Sequence, residues 1–474
     1  MIAYLNNGIN SAEITVLTPK VVEVETTLPA FVGYTDKASG KESKDLMLVP
    51  TKINSMREFE NFFGFPFENE MELTIDLDSS DGYCLSRFEE SSLQYLLYYS
   101  VKIYFENGGG PCYIVSVDTY QNPQQILLLR PIDSSHAGLL EGLLQLAEVP
   151  DLSLIVIPEA IKLSSDDYSL LVQAALLQCH TLENRFAIFD FYGGDQDNLD
   201  VSLNRGLFGT EYLNYGSAYY PFVRTTMNAY VNSTGSNVKV TYKGKEKNLG
   251  QLKTTESLLF KFVKNELKGR FINLPSCGAV AGAYVTSDKC RGVWKSPSNL
   301  SLSGVMEPLI PYGNLGSNMS CTDSETGKSI NNIRYSIRHD TQVCGARTLE
   351  TDDLGERFVS VTRFQIMVKE SLKTSTGWVM FEPNNSHTWQ KICQTAEDYL
   401  TLKWQEGALA GVIPQQAFYV KCGLGDTMTS DDLIEGRIHI EVGLAVLSPA
   451  EFNVFRFSHD LKSTKSFTEL SSDS

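Results

Sequence analysis

Apolar positions along the chain follow two periods, and the changes between them mark out the elements. After an opening rich in Asn, Gly and Ser, Val22 and Val24 alternate with Glu23 and Glu25, the pattern of an extended arm. A strand is expected over residues 30–33, a polar loop over 36–45, and a helix over 51–63 with Phe59, Phe62 and Phe63 on one side. A second helix is expected over 93–105, stopped by Asn107-Gly108-Gly109-Gly110-Pro111. Short, nearly all-apolar runs follow at 112–117, 152–157, 186–189 and 219–222, with helical patterns at 137–147 and 168–179 between them. Buried β-rich runs alternating with helices predict a mostly parallel sheet with helices on its faces. An α/β domain is therefore expected over 24–270.

The later part has a different texture. A helix is expected over 358–372, with Phe358, Val361, Phe364, Val368 and Leu372 at helical spacing. A longer one is expected over 388–406, with Ser386 as N-cap, Gly407 as its stop, and Trp389, Ile392, Ala396, Tyr399 and Leu400 on one face. Residues 438–446 alternate as a half-buried strand does, and 452–457 read as a further strand. The expected division is an arm over 1–23, an outer α/β domain over 24–270, a C-terminal α+β domain over 271–457 and a polar tail over 458–474. The fold class is α/β, or α+β overall, with extended terminal arms.

Length supports this division: 474 residues exceed what one compact core holds. Net charge is −17, so no broad basic surface exists to displace counterions from a nucleic acid. Acidic residues concentrate between Glu58 and Glu90, as a solvated loop region or as a contact to a basic neighbour. Lys239, Lys243, Lys245 and Lys247 cluster in a polar stretch over 232–254 that reads as a surface hairpin or loop. The nine cysteines are irregularly spaced with no C-x-x-C pair, which suits packed thiols in a chain made in a reducing cytoplasm. Residues 1–15 lack the basic start and apolar run of a secretory signal, and no apolar stretch approaches the ~20 residues that span a bilayer.

Motifs for chemistry are missing. Gly33 to Gly40-Lys41-Glu42-Ser43 has the wrong spacing for a phosphate loop, with Glu after the Lys where Ser or Thr belongs. Gly108-Gly109-Gly110 follows a helix and precedes a strand, the reverse of a dinucleotide fingerprint. The six histidines show no metal-ligand spacing. Cys344 and His339 stand five positions apart with nothing to bring them together as nucleophile and base. Glu397 and Asp398 adjoin on a helix and point to different faces. No catalytic residue, cofactor or metal site is assigned; the residues are those of a packing and interaction protein.

Several segments resemble the contractile phage tail sheath family in order and spacing. They are residues 28–35 (LPAFVGYT), 53–64 (INSMREFENFFG), 104–117 (YFENGGGPCYIVSV) and 217–222 (SAYYPF). More specific are 279–297 (AVAGAYVTSDKCRGVWKSP), 332–334 with 345–349 (NIR…GARTL), 378–384 (WVMFEPN), 406–410 (EGALA), 427–437 (TMTSDDLIEGR) and 441–455 (EVGLAVLSPAEFNVF). The series is similar to sheaths of phage tails, R-type bacteriocins and extracellular contractile injection systems. Cys344 stands where the family usually has Trp, residues 337–340 replace a Gly-rich stretch, and 36–106 is long and acidic.

The resemblance implies a structural subunit that polymerises as a helical sheath around an inner tube and contracts from a metastable extended state to drive that tube through an envelope. Implied partners are other copies or sheath paralogues with six-fold symmetry, the inner tube protein, and baseplate and cap proteins; nucleic acid and direct membrane insertion are not implied. The particle is expected outside the cell or anchored to a membrane. In such sheaths terminal arms complete neighbouring subunits' sheets, and Val21, Val22 and Val24, with Phe452, Val454, Phe455 and Phe457, are the candidates here. The C-terminal domain is expected to face the tube, with Lys391 and Lys403 as charge contacts. The alternatives are a nonpolymerising baseplate or binding component, and an α/β enzyme of unknown reaction.

Overall fold

The computed structural model describes residues 20–40, 45–77, 82–90, 92–121, 126–131, 136–196, 201–311, 328–336, 340–351 and 355–461. The chain divides into two compact units. A long unit covers Val24–Met367, and a terminal unit joins the described parts of 1–23 and 368–474.

The first half of the long unit runs β1 (Pro29–Thr35), β2 (Thr51–Ile53), α1 (Met56–Phe63), β3 (Met71–Leu77), β4 (Tyr83–Glu90), α2 (Leu97–Glu106), β5 (Cys112–Thr119), α3 (Leu139–Gln145), β6 (Leu154–Val156), α4 (Ser165–Leu182) and β7 (Phe186–Asp190). It continues through α5 (Val201–Gly206), β8 (Gly216–Tyr220), β9 (Val223–Asn228), β10 (Val238–Tyr242), β11 (Lys245–Asn248), α6 (Leu249–Thr255), α7 (Ser257–Lys268), β12 (Phe271–Leu274) and α8 (Cys277–Arg291). It closes with β13 (Leu300–Ser301), β14 (Val305–Pro308), β15 (Asn331–Ser336), β16 (Asp340–Cys344) and the start of α9 (Val359–Ser375).

Nine strands form one sheet in the order β13-β16-β15-β8-β7-β6-β1-β5-β2. The pairs from β15 across to β5 are parallel, and β16, β13 and β2 add antiparallel edges. Its central strands are buried on both faces, which is why they read as continuous apolar runs. Phe31, Ile114, Val156, Ile188 and Tyr219 pack on one face beneath α1, α2 and α8. Val32, Val115, Ile155, Ala187 and Ala218 pack on the other beneath α3 and α4.

Three readings need correction. The helix expected over 51–63 is a strand followed by a shorter helix, because Ser55 accepts from the Glu58 amide and starts the helix there. The boundary expected at 270 is not where the chain divides: α8 covers the sheet, and β13, β15 and β16 complete it. The acidic stretch is not a loop. Its β3 and β4 form a four-stranded sheet with the lysine-rich hairpin, in the order β11-β10-β3-β4. Lys239 lies 3.0 Å from Glu70 and 3.5 Å from Glu72, so the two charge clusters partly meet within the chain. This subdomain has its own core of Met71, Leu73, Ile75, Val238 and Val240 under Leu252, Leu259 and Val263.

The small residues of α8 let it approach α2 closely. A Cβ on Gly282 would stand 2.6 Å from the Tyr104 carbonyl oxygen, and one on Gly278 2.5 Å from that of Ser100. Backbone cannot yield as a side-chain tip does, so Gly282→Val is expected to destabilise the fold by about 1–3 kcal/mol or more. A thermal melt with an unchanged midpoint would contradict that packing.

The terminal unit consists of the end of α9, α10 (Ser386–Gln405), α11 (Pro414–Ala417), β17 (Phe418–Lys421), α12 (Ser430–Glu435), β18 (Arg437–Leu444) and β19 (Asn453–Asp460). β18 is the central strand of an antiparallel sheet ordered β17-β18-β19. Its Ile438, Ile440, Val442 and Leu444 are buried. Asn385, not Ser386, caps α10, accepting from the Thr388 amide at 3.0 Å. Gly407 takes the positive φ of 77° expected of the residue that ends a helix.

Candidate subunit-contact surfaces

The predicted arm residues lie in two settings. Val22 is 74 % exposed and in no strand, yet its backbone is held: its amide donates to Ser375 Oγ at 3.0 Å, and that hydroxyl donates back to the Val22 carbonyl at 3.4 Å. Val21 beside it is half-buried. Glu23 then reaches α10, accepting from the Tyr399 hydroxyl at 3.0 Å and pairing with Lys403. Val24 is half-buried and begins the long unit. Just beyond it, Arg363 donates to the Thr26 carbonyl at 2.9 Å and grips Asp288 with both guanidinium nitrogens, at 3.1 and 2.6 Å.

Phe455 and Phe457 pair with Val442 and Ile440 of β18, in the chain's own sheet. Phe457 is buried, Phe455 half-buried and Val454 51 % exposed. Phe452 packs edge-on against Tyr419, with centroids 5.1 Å apart. Both edges of this sheet, β17 and the eight-residue β19, are unpaired on their outer sides among the described residues. Such an edge is a template for another strand.

Lys403 is corrected as an exposed charge contact. It is 7 % exposed and bonded to Glu406 at 2.7 Å as well as to Glu23. Burial pulls its ammonium down, but the two carboxylates outweigh this and hold it above the ordinary lysine value. Lys391 is half-buried, 4.3 Å over the Trp378 ring and 3.9 Å from Glu382. Sequence reasoning passed over Phe381, Val412 and Ile434, which are 92, 85 and 73 % exposed. Isolated apolar residues next to turns carry no periodic signal, so nothing in the pattern singles them out.

His459, on β19, is buried and shares a 2.8 Å hydrogen bond with Thr376 Oγ1. Burial holds its imidazole below the ordinary 6.5, and Lys373 adds to this. The unfolded chain therefore takes up the proton first. The terminal unit is expected to lose stability as pH falls below about 6.5, and His459→Gln is expected to flatten that slope in denaturant titrations at pH 5 to 7.

The sheet's ligand position is filled from within. From β1 the chain runs to β5 on one side and then to β6 on the other, so the crevice of a doubly wound sheet lies beyond the carboxyl ends of β1 and β6. Glu159 occupies it, fully buried, with Oε1 accepting the Leu96 and Leu97 amides at 3.0 and 2.8 Å. These amides open α2, where an anionic ligand would otherwise bind. Asp190 does the same at α8, accepting from the Ser276 and Cys277 amides at 2.7 and 2.9 Å. Phe67, Tyr95 and Tyr120 pack together near the end of β1, where the Tyr120 amide bonds the Thr35 carbonyl. Among the described residues no group of His, Cys, Asp or Glu is placed to hold a metal ion, and no helix is long and apolar enough to cross a membrane. His339 and residues 41–44 lie outside the described residues.

The fold of this chain is similar to that of solved contractile sheath proteins, the family that the sequence motifs resemble. The chain is similar to the sheath of an extracellular contractile injection system, PVC, solved in its contracted state: identity is 26 %, TM-score 0.59, and coverage 97 % of this chain and 99 % of that one. The contracted helical sheath of the anti-feeding prophage matches at 23 % identity and TM-score 0.60, over 97 % of this chain and all of that one. The sheath tail protein of Listeria innocua shares the fold at 10 % identity and TM-score 0.52, over 94 and 97 % of the two chains. No protein-family model matches the chain, and no curated protein sequence matches it.

Proposed function

We propose that this chain is a sheath subunit that polymerises around an inner tube, contracts from an extended lattice, and carries out no catalysis. The observation that supports this most is the similarity to a contractile injection sheath over 97 % of this chain and 99 % of that one. The buried carboxyl groups agree with it: they occupy the amides of the two helix N-termini at which a nucleotide would bind. Work would come from the free-energy difference between two lattices, with subunits moving as rigid bodies. Baseplate association is part of the proposal, since chains of the anti-feeding prophage baseplate share the fold.

Connection between copies is assigned to the N-terminal arm through Val22 and to the free edge of β19. Head-to-tail strand addition needs backbone groups more than particular side chains, and it propagates into an open helix. Ultracentrifugal pelleting of full-length protein with its tube protein, beside a chain lacking residues 1–22, tests the arm. Polymer from full length that is lost on truncation supports it. Equal pelleting of both would remove the arm from the account and keep the sheath.

A further inference from the structure

We propose that Cys393 and Cys422 form a modification site: a small-molecule disulfide oxidises the two thiols to an intrachain disulfide that fastens edge strand β17 to α10. The inference goes beyond the sheath reading and rests on the terminal unit alone.

Among the described residues these are the two cysteines of the terminal unit; the others lie on β4, β5, α4, α8 and β16 of the long unit. Cys393 stands on α10 beside the buried Ile392 and three positions before the buried Ala396. Cys422 is the residue after β17, and α10 packs on that strand with Cα atoms of the two within 8 Å. The contact is direct: the Cys422 backbone amide hydrogen-bonds the Cys393 sulfur. The chain then turns. The Gly423 amide donates to Thr427 Oγ1 at 3.1 Å, and the Gly423 carbonyl accepts from the Thr427 and Met428 amides, both at 3.0 Å. Thr427 Oγ1 donates in turn to the His439 carbonyl of β18 at 2.7 Å. Cys422 is therefore held in place between the sheet and α10. Both thiols are free and half-buried, so a small oxidant reaches them.

Burial pushes the Cys393 thiol up to about 11; Glu397 and Asp426 add to this, and the Cys422 amide works against it. Burial pushes Cys422 up to about 12, with Cys393 adding to it. Cys393 is thus the first of the two to ionise. Its thiolate attacks one sulfur of the small disulfide, whose S–S bond breaks to release one thiolate and leave a mixed disulfide at Cys393. Cys422 gives its proton to solvent, and its thiolate attacks the Cys393 sulfur, forming the protein disulfide and releasing the second small thiolate. Two protein thiols are oxidised, and one small disulfide is reduced to two thiols. With so little thiolate at neutral pH the reaction is slow, and its rate should rise about ten-fold per pH unit from pH 7 to 9.

The bond closes the loop that runs from α10 through α11 and β17, and so restricts the unfolded chain. It also fixes β17, an outer strand of the terminal sheet, against the helix beside it. A chain in a reducing compartment keeps both thiols, and transfer to oxidising surroundings closes the bond.

The test incubates the reduced full-length chain with oxidised glutathione at pH 8.5, blocks the remaining thiols with N-ethylmaleimide, and digests without reduction for peptide mass spectrometry. The expected result is a peptide pair joined through Cys393 and Cys422, in a yield that does not change when the protein is diluted. The melting midpoint of the terminal unit is expected to rise by several degrees on oxidation and to return with dithiothreitol. Cys393→Ser and Cys422→Ser are each expected to abolish both the joined pair and the rise, and to melt as the reduced parent does. Cys393 and Cys422 recovered only as separate maleimide- or glutathione-capped peptides, or a joined pair that forms only in urea or fades on dilution, would overturn the inference and leave the sheath reading standing.

Discussion

Asp288→Ala is expected to cost the long unit about 3–5 kcal/mol, the usual cost of removing one partner from a buried ion pair. Asp288 and Arg363 keep only 3 and 4 % of their side chains in solvent. Their bidentate contact also receives Thr26, whose hydroxyl donates to Asp288 at 2.9 Å while its carbonyl accepts from Arg363. Removal of the carboxylate leaves a buried guanidinium over the Tyr284 ring with no counter-charge, and releases the segment leading out of the arm. Two outcomes follow. The melting midpoint drops by several degrees, and limited proteolysis near Thr26 accelerates. Arg363→Met should be milder than Asp288→Ala, because it removes the charge and keeps an apolar stem. A midpoint within a degree of the parent for Asp288→Ala would show that the pair is dispensable.

Glu159 and Asp190 should make the long unit less stable as pH rises. Burial pushes Glu159 up to about 7 from 4.5, against the pull of its amide donors, and Asp190 to about 6 from 3.8. Between the unfolded and folded values the native state keeps a proton that the unfolded chain has released. Stability therefore falls through pH 4.5 to 7 for one group and 3.8 to 6 for the other, then levels off. Shifts of this size correspond to roughly 3 kcal/mol per carboxylate. Glu159→Gln keeps an oxygen for the Leu96 and Leu97 amides and carries no charge, so the slope between pH 5 and 7 should shrink in urea titrations. Glu159→Ala leaves both amides unpaired and should destabilise at every pH. A slope unchanged in Glu159→Gln would mean the carboxylate does not titrate in that window. His459 has the opposite sign, so unfolding followed unit by unit should separate the two effects.

Apolar period and glycine placement made much of the long unit legible. The runs at 112–117, 152–157 and 186–189 became β5, β6 and β7, because strands buried on both faces must be apolar throughout. The stretch AVAGAYV could be recognised as a motif, but its physical role, the close approach of α8 to α2, needed the partner backbone to be seen. The acidic segment was the hardest to read. Met71, Leu73 and Ile75 do alternate there, but their core comes from Val238, Leu252 and Val263, far along the chain, and the dense carboxylates suggested a loop. Lys403 was misread for a similar reason. On a helical wheel it looks solvated, and its partner Glu23 is nearly four hundred residues away in sequence. The segments at 51–53 and 56–63 were merged because a three-residue edge strand has too few positions to show a period.

The central claim is polymerisation into a tube-enclosing sheath. Electron microscopy of the purified full-length chain, alone and mixed with its tube protein, tests it most directly. The account predicts long striated hollow cylinders whose subunits repeat on a helix. Monodisperse small particles in every mixture, baseplate components included, would contradict it.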